Sequence, residues 1–172
     1  MVDSPGTVIW LTGLSGAGKT TIARALAAEL AARGDAIEML DGDALRDLLP
    51  DTGFSPQERD RHVRRTGFMA SRLAHHGVTV IAALISPSAD ARAFVRSICR
   101  RFVEVYVSTP LEECERRDPK QLYARARRGD LLQFTGVSAP YEPPTQAEVV
   151  IDTRTCSVDE AVRLVLAALD RA

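Results

Sequence analysis

The residues with the clearest chemical meaning lie near the N-terminus, where Gly13 to Thr20 read G-L-S-G-A-G-K-T. This is the spacing G-x-x-x-x-G-K-[ST], in which a glycine-rich turn directs backbone N–H groups at phosphate oxygens. In such a loop Lys19 reaches the β- and γ-phosphates, and the Thr20 hydroxyl holds Mg²⁺. The sequence therefore predicts a binding site for ATP and Mg²⁺. Its residues are Gly13, Ser15, Gly16, Ala17, Gly18, Lys19, Thr20 and Thr21.

A pair of carboxylates follows the second apolar segment, in the run Asp41-Gly42-Asp43. A carboxylate beside bound nucleotide can orient Mg²⁺ or its waters, or accept the proton of an attacking hydroxyl. Asp-Gly is also a common turn dipeptide. Next to a phosphate loop we favour the functional reading, and we name Lys19 and Asp43 as the catalytic candidates.

Arginines and loop aromatics are candidates for holding a second, anionic substrate. Phosphoryl transfer needs cations around the transferring group, and guanidinium groups bind anions with two parallel hydrogen bonds. Phe54 and Phe134 fall in segments without helical or strand periodicity, where an exposed ring could stack on a base; packing in a local core is the commoner fate of a lone Phe. The arginines form two clusters: Arg46, Arg59, Arg61, Arg64 and Arg65, and Arg116, Arg117, Arg125, Arg127 and Arg128 with Lys120.

The elements that position these residues follow an α/β pattern. Short apolar runs alternate with segments of helical periodicity, which predicts a parallel five-stranded sheet with helices on both faces. Ser55, Thr109 and Ser157 are each followed three residues later by Glu, which predicts helix starts with capping boxes. The predicted strands are 8–12, 37–40, 78–84, 102–107 and 149–151; the predicted helices follow Lys19, Ser55 (to about residue 76), Asp90 (to residue 100), Thr109 and Ser157.

Composition limits the function classes. The 172 residues carry a net charge of −1, which argues against binding nucleic acid by bulk charge. Three cysteines without C-x-x-C spacing favour a reduced, cytoplasmic setting. No signal peptide is visible in the first residues and no apolar run approaches the length of a membrane span. We expect one domain over 1–172 with a lid at about 115–147, because 129–147 is irregular and proline-rich.

A phosphate loop by itself does not separate kinases from other nucleotide-binding proteins. The chain lacks an N-K-x-D guanine-specificity element and is short for a mechanical ATPase. A compact P-loop kinase with a lid is the class that remains, acting on a small anionic nucleotide-like substrate. A non-catalytic nucleotide-binding module is the alternative from another class, and intact Lys19, Thr20 and Asp43 argue against it.

The chain resembles the adenylylsulfate (APS) kinase family, in which ATP phosphorylates the ribose 3′-hydroxyl of adenylylsulfate. The resemblance rests on segments in family order: the phosphate loop, Asp41-Gly42-Asp43, Gly53-Phe54-Ser55, Ile85-Ser86-Pro87, Phe102 to Val107, Arg117-Asp118-Pro119-Lys120, Phe134-Thr135-Gly136, Tyr141-Glu142-Pro143-Pro144 and Ile151-Asp152-Thr153.

The resemblance implies a role for particular residues. Asp43 and Arg46 would lie at the acceptor, Phe54 and Phe134 would sandwich its adenine, and Arg59 would contact its anionic part. Further contacts are implied for Ile85, Ser86 and Lys120 around the acceptor, and for Cys156 at the adenine of ATP. The resemblance also implies a possible homodimer.

Several residues depart from the family pattern, mostly on the acceptor side. His62 stands where the family has Asn, and Gln121 stands where it has Gly. The segment from Asp43 to Gly53 is one residue short. These departures leave open a different acceptor, for example a phosphoramidate-type nucleotide. The other changed positions are Ala44, Ser88, Ala89 and Leu132.

Overall fold

A parallel sheet organises the protein in the computed structural model, which describes residues 5–49 and 53–171. The first residues, inspected above for a signal peptide, and part of the shortened 43–53 segment lie outside these ranges. The five strands are β1 (Val8–Thr12), β2 (Ile37–Asp41), β3 (Thr79–Ala83), β4 (Phe102–Val107) and β5 (Val149–Ile151). They pair in the order β2-β3-β1-β4-β5, and every pair is parallel. The predicted sheet is confirmed.

Helices cover both faces of this sheet. They are α1 (Lys19–Ala32), α2 (Gly42–Leu48), α3 (Pro56–His75), α4 (Ala89–Ile98), α5 (Leu111–Arg117), α6 (Leu122–Arg127) and α7 (Val158–Leu169). Successive strand residues point to opposite faces, so β1 serves two cores. Val8 and Trp10 pack in the cluster under α3 and α4, whereas Ile9 and Leu11 pack in the cluster under α1 and α7. A strand buried on both faces explains the continuous apolar run of β1.

The register brings the candidate site residues to one edge of the sheet. Leu11 of β1 pairs with Ala83 of β3, and Ala83 pairs in turn with Asp41 of β2. The phosphate loop follows β1, Gly42 and Asp43 follow β2, and Ile85 and Ser86 follow β3. Ligands of open α/β sheets bind at this carboxyl edge.

One predicted helix cap was wrong. Thr109 does not cap a helix; Pro110 takes the cap position, without a side-chain bond. The run Asp41-Gly42-Asp43 starts helix α2, because the Asp41 carboxylate accepts the Asp43 and Ala44 N–H groups.

Helix α3 begins with the predicted capping box, and its loss is measurable. Ser55 Oγ accepts the Glu58 N–H at 3.3 Å, and Glu58 Oε2 accepts the Ser55 N–H at 3.0 Å. We expect Ser55→Ala to lower the free energy of unfolding by about 1 kcal/mol, because the Glu58 N–H loses its side-chain acceptor. Urea denaturation checks this. Ser71 is a partly buried serine in the middle of the same helix, and its hydroxyl donates to the Phe68 carbonyl. Ser71→Ala should change the stability by less than about 0.5 kcal/mol; equal effects would contradict the capping argument.

Candidate active site

The phosphate loop has backbone geometry that only glycine adopts easily. Gly13 has φ 148° and Gly18 has φ 108°, both in the region that side chains disfavour. A Cβ at Gly13 would collide with the Val107 carbonyl oxygen. Gly18 is the N-cap of α1 and leaves the first turn of that helix without a side-chain cap. The free N–H groups of this turn are the ones that phosphate oxygens bind.

Lys19 is held inside this loop. Its ammonium group donates to the Gly13 carbonyl at 2.9 Å and to the Leu14 carbonyl at 2.7 Å, and the residue is 9% exposed. Burial lowers the pKa of Lys19 to about 8, and the negative charge of Asp43 opposes this shift. The side chain is therefore a cation in a dehydrated setting, which strengthens its attraction for phosphate.

Thr109, Thr153 and Arg117 support the phosphate loop, a role that the sequence analysis did not predict for them. The hydroxyls of Thr109 and Thr153 both lie 3.0 Å from the Ala17 carbonyl oxygen and 2.8 Å from each other. Arg117 donates to the Thr153 hydroxyl at 2.7 Å. Because the Thr109 hydroxyl is used here, it is unavailable as a helix cap. The Ile-Asp-Thr segment was the one sequence signal for Thr153.

Asp43 is exposed and faces the lid. Its carboxylate pairs with the ammonium group of Lys120, which lies on the segment between α5 and α6. Lys19 and Lys120 are the two lysines of the chain, and both lie near Asp43. The structure therefore places the two catalytic candidates and the predicted lid lysine around one point at the sheet edge.

A large cavity lies along α3, and its described lining does not include Lys19, Asp43 or Lys120. Its volume is about 1170 Å³, and it runs along α3 towards the segment 138–142. Phe54 and Arg59 line it. The Phe54 ring is 62% exposed, and the Arg46 guanidinium lies 4.9 Å from its centroid. Arg59 donates to the Thr135 hydroxyl and the Gln133 carbonyl, so it connects α3 to the lid. A cavity lined by an aromatic ring and arginines suits an anionic nucleotide.

His62 is buried at 2% exposure, and its Nε2 lies 3.0 Å from the Gly42 carbonyl oxygen. A carbonyl only accepts, so geometry assigns the proton to Nε2. Nδ1 is then an acceptor, and it has no partner among the residues described. Burial, followed by the charge of Arg46, lowers the pKa of His62. His62 thus anchors α3 to the first turn of α2 as a neutral side chain.

Of the predicted pocket residues after β3, Ser86 is buried and Ile85 is partly buried, and both are hydrogen-bonded. The Ile85 carbonyl accepts from the Thr12 hydroxyl at 2.8 Å, and the Ser86 hydroxyl accepts from Trp10 Nε1 at 3.1 Å. Ser86 has φ 39°, a strained backbone conformation for a residue with a side chain. These contacts fix the backbone turn that leads from β3 to α4.

Cys156 and Phe134 lie in less exposed surroundings than a stacking site requires. Cys156 is partly buried, packs against the cluster of α1 and α7, and has a pKa raised by burial. Phe134 is 8% exposed and packs edge-on against Tyr123, with ring centroids 5.0 Å apart. The structure places Phe134 in local core packing, and no ring contact between Phe54 and Phe134 occurs in the described part of the chain. An adenine sandwich remains a prediction.

Thr20 is the residue that fits Mg²⁺. It lies in the first turn of α1 beside Lys19 and is half-buried, at the sheet edge that also carries Asp41 and Asp43. Residues 5–49 and 53–171 contain no group of three or more His, Cys, Asp or Glu placed to hold a metal ion. A hydroxyl, with nucleotide phosphates and water as the other ligands, is a usual Mg²⁺ environment in kinases.

Comparison with known proteins decides the family. Residues 5–152 match the family model for adenylylsulphate kinase, and this range holds the phosphate loop, Asp43 and the lid. The chain belongs to the adenylylsulphate kinase family.

Members of this family resemble the chain along nearly all of its length. An adenylyl-sulfate kinase of Chloroflexus aurantiacus is 50% identical over 167 residues, which cover 96% of this chain and 90% of the relative. One from a Synechococcus strain is 48% identical and covers 95% and 94%. The APS kinase of Mycobacterium tuberculosis, solved with AMPPNP and APS, superimposes with a TM-score of 0.93 at 39% identity, covering 97% of this chain and 99% of that one.

These comparisons agree with the fold described above. The chain is an ATP-dependent kinase with a P-loop kinase fold. None of the helices among the described residues is long and apolar enough to span a membrane.

Proposed function

We propose that this protein transfers the γ-phosphoryl group of ATP to the ribose 3′-hydroxyl of adenylylsulfate, giving ADP and 3′-phosphoadenylylsulfate. The observation that carries the proposal is the convergence of Lys19, Asp43 and Lys120 at the carboxyl edge of the sheet. We place the acceptor in the cavity along α3, which Phe54 and Arg59 line. The identity of the family's relatives supports adenylylsulfate as the acceptor.

One set of residues binds ATP, and another binds the acceptor. The phosphate loop from Gly13 to Thr21 binds the phosphates through its backbone, and Lys19 stabilises negative charge on the transferred group. The Thr20 hydroxyl would hold Mg²⁺, which would supply neutralising charge at the phosphate oxygens. Cys156 contacts the adenine of ATP.

On the acceptor side, Asp43 lies nearest to the reacting hydroxyl. It takes the proton or orients the metal. Phe54 and Phe134 contact the adenine of adenylylsulfate, Arg46 lies at the acceptor beside Asp43, and Arg59 contacts its anionic part. The remaining acceptor contacts are His62, Ile85, Ser86 and Lys120.

The test is an assay of ADP release with MgATP and adenylylsulfate, with mass spectrometry of the product. We expect turnover that depends on both substrates and a product phosphorylated on the 3′-hydroxyl. The controls are ATP alone and 3′-deoxy-adenylylsulfate, which has no hydroxyl to phosphorylate. ATP binding without turnover on adenylylsulfate would contradict the proposal.

One structural observation favours a second candidate, a related anionic nucleotide as acceptor. Two positions carry a small or apolar residue where the family has a larger or basic one. Ser88 lines the cavity and its hydroxyl caps α4, and Leu132 is exposed next to the lining residue Gln133. Faster turnover on a phosphoramidate-type nucleotide than on adenylylsulfate, in the same assay, would establish this alternative.

Three wider features complete the proposal. The chain forms one kinase domain over 1–172, with a lid at about 115–147 in which Lys120 and Gln133 contact residues of α2 and α3. We propose a homodimer, which sedimentation would detect. We also propose a cytoplasmic setting; the thiols of Cys99, Cys114 and Cys156 are all free, as expected there.

A further inference from the structure

A buried arginine on α4 joins three parts of the cavity wall. Arg92 is 4% exposed and is the one buried arginine of the described ranges. Its Nη1 donates to the Ser86 carbonyl at 2.6 Å, and its Nη2 donates to the Glu142 carbonyl at 2.5 Å. Its Nε lies 3.0 Å from Glu104 Oε1 on β4, a close ion pair that is not aligned as a hydrogen bond.

The segment that Arg92 holds has little backbone structure of its own. Residues 140–143, here called the strap, are outside every helix and strand, and Pro140 and Glu142 line the cavity. The Glu142 N–H donates to the Pro87 carbonyl at 3.0 Å, and the Glu142 carboxylate accepts the Ala89 N–H at 2.5 Å. The strap is therefore attached to the turn between β3 and α4 by contacts centred on Arg92.

Tyr141 adds a second attachment to the same turn. Its hydroxyl lies 2.9 Å from the Thr12 hydroxyl, which also bonds the Ile85 carbonyl and the Ser86 hydroxyl. The Arg92 guanidinium lies 5.7 Å from the centre of the Tyr141 ring. The strap and the turn thus form one bonded unit, and the two sides of this unit are two walls of the cavity.

We infer that Arg92 is a positioning residue for the acceptor substrate: it fixes the strap against the turn after β3 and so sets the shape of the acceptor cavity. Arg92 does not line the cavity, so it acts through Ser86 and the strap. The inference rests on the proposed function, which places the acceptor in this cavity. It gives a role to a buried guanidinium that neither phosphate binding nor proton transfer uses.

The geometry requires an arginine. Three nitrogens in one plane serve three partners on three different segments, and a lysine ammonium has one nitrogen on a flexible stem. Arg92→Lys keeps the positive charge opposite Glu104 but cannot bridge Ser86 and Glu142. The phosphate loop makes none of these contacts, so ATP binding should not change.

The experiment compares the KM for adenylylsulfate with the KM for ATP in Arg92→Lys. We expect the KM for adenylylsulfate to rise roughly 10- to 100-fold, because small displacements of positioning groups cost this much, while the KM for ATP stays within about twofold. The matched control is Arg96→Gln, one turn along α4, which contacts Glu104 and Glu148 but not the strap. It should leave both constants within about twofold.

A second variant tests the inference even if Arg92→Lys does not fold. Arg92→Met combined with Glu104→Gln removes both buried charges. It should also raise the KM for adenylylsulfate while leaving the KM for ATP nearly unchanged. An unchanged KM for adenylylsulfate in a folded variant overturns the inference, as does an equal rise in both KM values. Failure of both variants to fold, with Arg96→Gln folded, overturns it too, because Arg92 would then serve stability alone.

Amide hydrogen exchange separates this inference from the proposed function. Faster exchange at Ala89 and Glu142 in Arg92→Lys than in Arg96→Gln supports positioning even if the native protein fails to phosphorylate adenylylsulfate. Equal exchange rates at these amides in the two variants would contradict it.

Discussion

Replacing Lys19 by Met is expected to lower kcat about 10³-fold, at saturating ATP and adenylylsulfate. The methionine keeps the length of the stem but removes the ammonium group that the loop holds between the Gly13 and Leu14 carbonyls. The negative charge on the transferred phosphoryl group is then no longer stabilised by a buried ammonium group. Steady-state kinetics of ADP release measures the change.

Two controls accompany the Lys19 variant. Arg24→Met removes an exposed cation from the same helix without touching the loop, and kcat should stay within about twofold. The affinity of the native protein for ATP should also fall as the pH rises through about 8, since the pKa of Lys19 in the free protein is about 8 and the neutral amine must take up a proton to pair with phosphate. Lys19→Met should lose this pH dependence. An identical slope of ATP affinity against pH in both proteins would contradict its assignment to Lys19.

The elements of the sheet could be predicted closely because their sequence signals are local. Strands Phe102–Val107 and Val149–Ile151 occur within the predicted bounds, since β-branched and aromatic residues between turn residues leave few alternatives. The phosphate loop was equally predictable, because its spacing, the preceding strand and the following helix all agree. Ser55 and Ser157 cap their helices as expected.

Two short helices escaped prediction for a physical reason. Helices α2 and α6 have seven and six residues, too few for an apolar stripe to repeat. Each depends on a capping carboxylate instead: Asp41 accepts N–H groups at the start of α2, and Asp118 accepts those of Tyr123 and Ala124 at the start of α6. The Asp41-Gly42-Asp43 run, read from the sequence as a candidate site, therefore also starts a helix.

The contacts that assemble the acceptor side could not be predicted without the resemblance, because they join distant segments. Arg59 contacts Thr135, Arg92 contacts Glu142, and Lys120 contacts Asp43 across 76, 50 and 77 residues. Each depends on the path of the irregular chain around 118–147, which has no periodicity to interpret. The course of the same segment also brings Phe134 into contact with Tyr123.

Gln121 shows how a departure from the family pattern is accommodated. It stands where the family has Gly, and its φ is 54°, in the left-handed region where glycine is favoured. Gln121 therefore carries the backbone strain that a side chain brings to this conformation.

Replacing Asp43 by Asn is expected to lower kcat by about 10²-fold or more, with the affinity for ATP kept. Asparagine has nearly the shape of aspartate, but its amide neither accepts a proton nor carries the charge that orients Mg²⁺. Asp47→Asn, an exposed carboxylate on the same short helix, is the matched control and should leave kcat within about twofold. Turnover assays with both variants, and calorimetry with ATP, measure the difference.

The pair of Asp43 with Lys120 allows the role of the carboxylate to be separated from lid closure. If Asp43 acted through the lid alone, Lys120→Met would lower kcat as much as Asp43→Asn does, and the double variant would be no worse. We expect Asp43→Asn to lower kcat clearly more than Lys120→Met does. Loss of the acidic limb of the pH–rate profile in Asp43→Asn would then identify a base, because only a group that titrates produces that limb. A raised requirement for Mg²⁺ at an unchanged pH profile would identify a metal organiser, and full activity would exclude both roles.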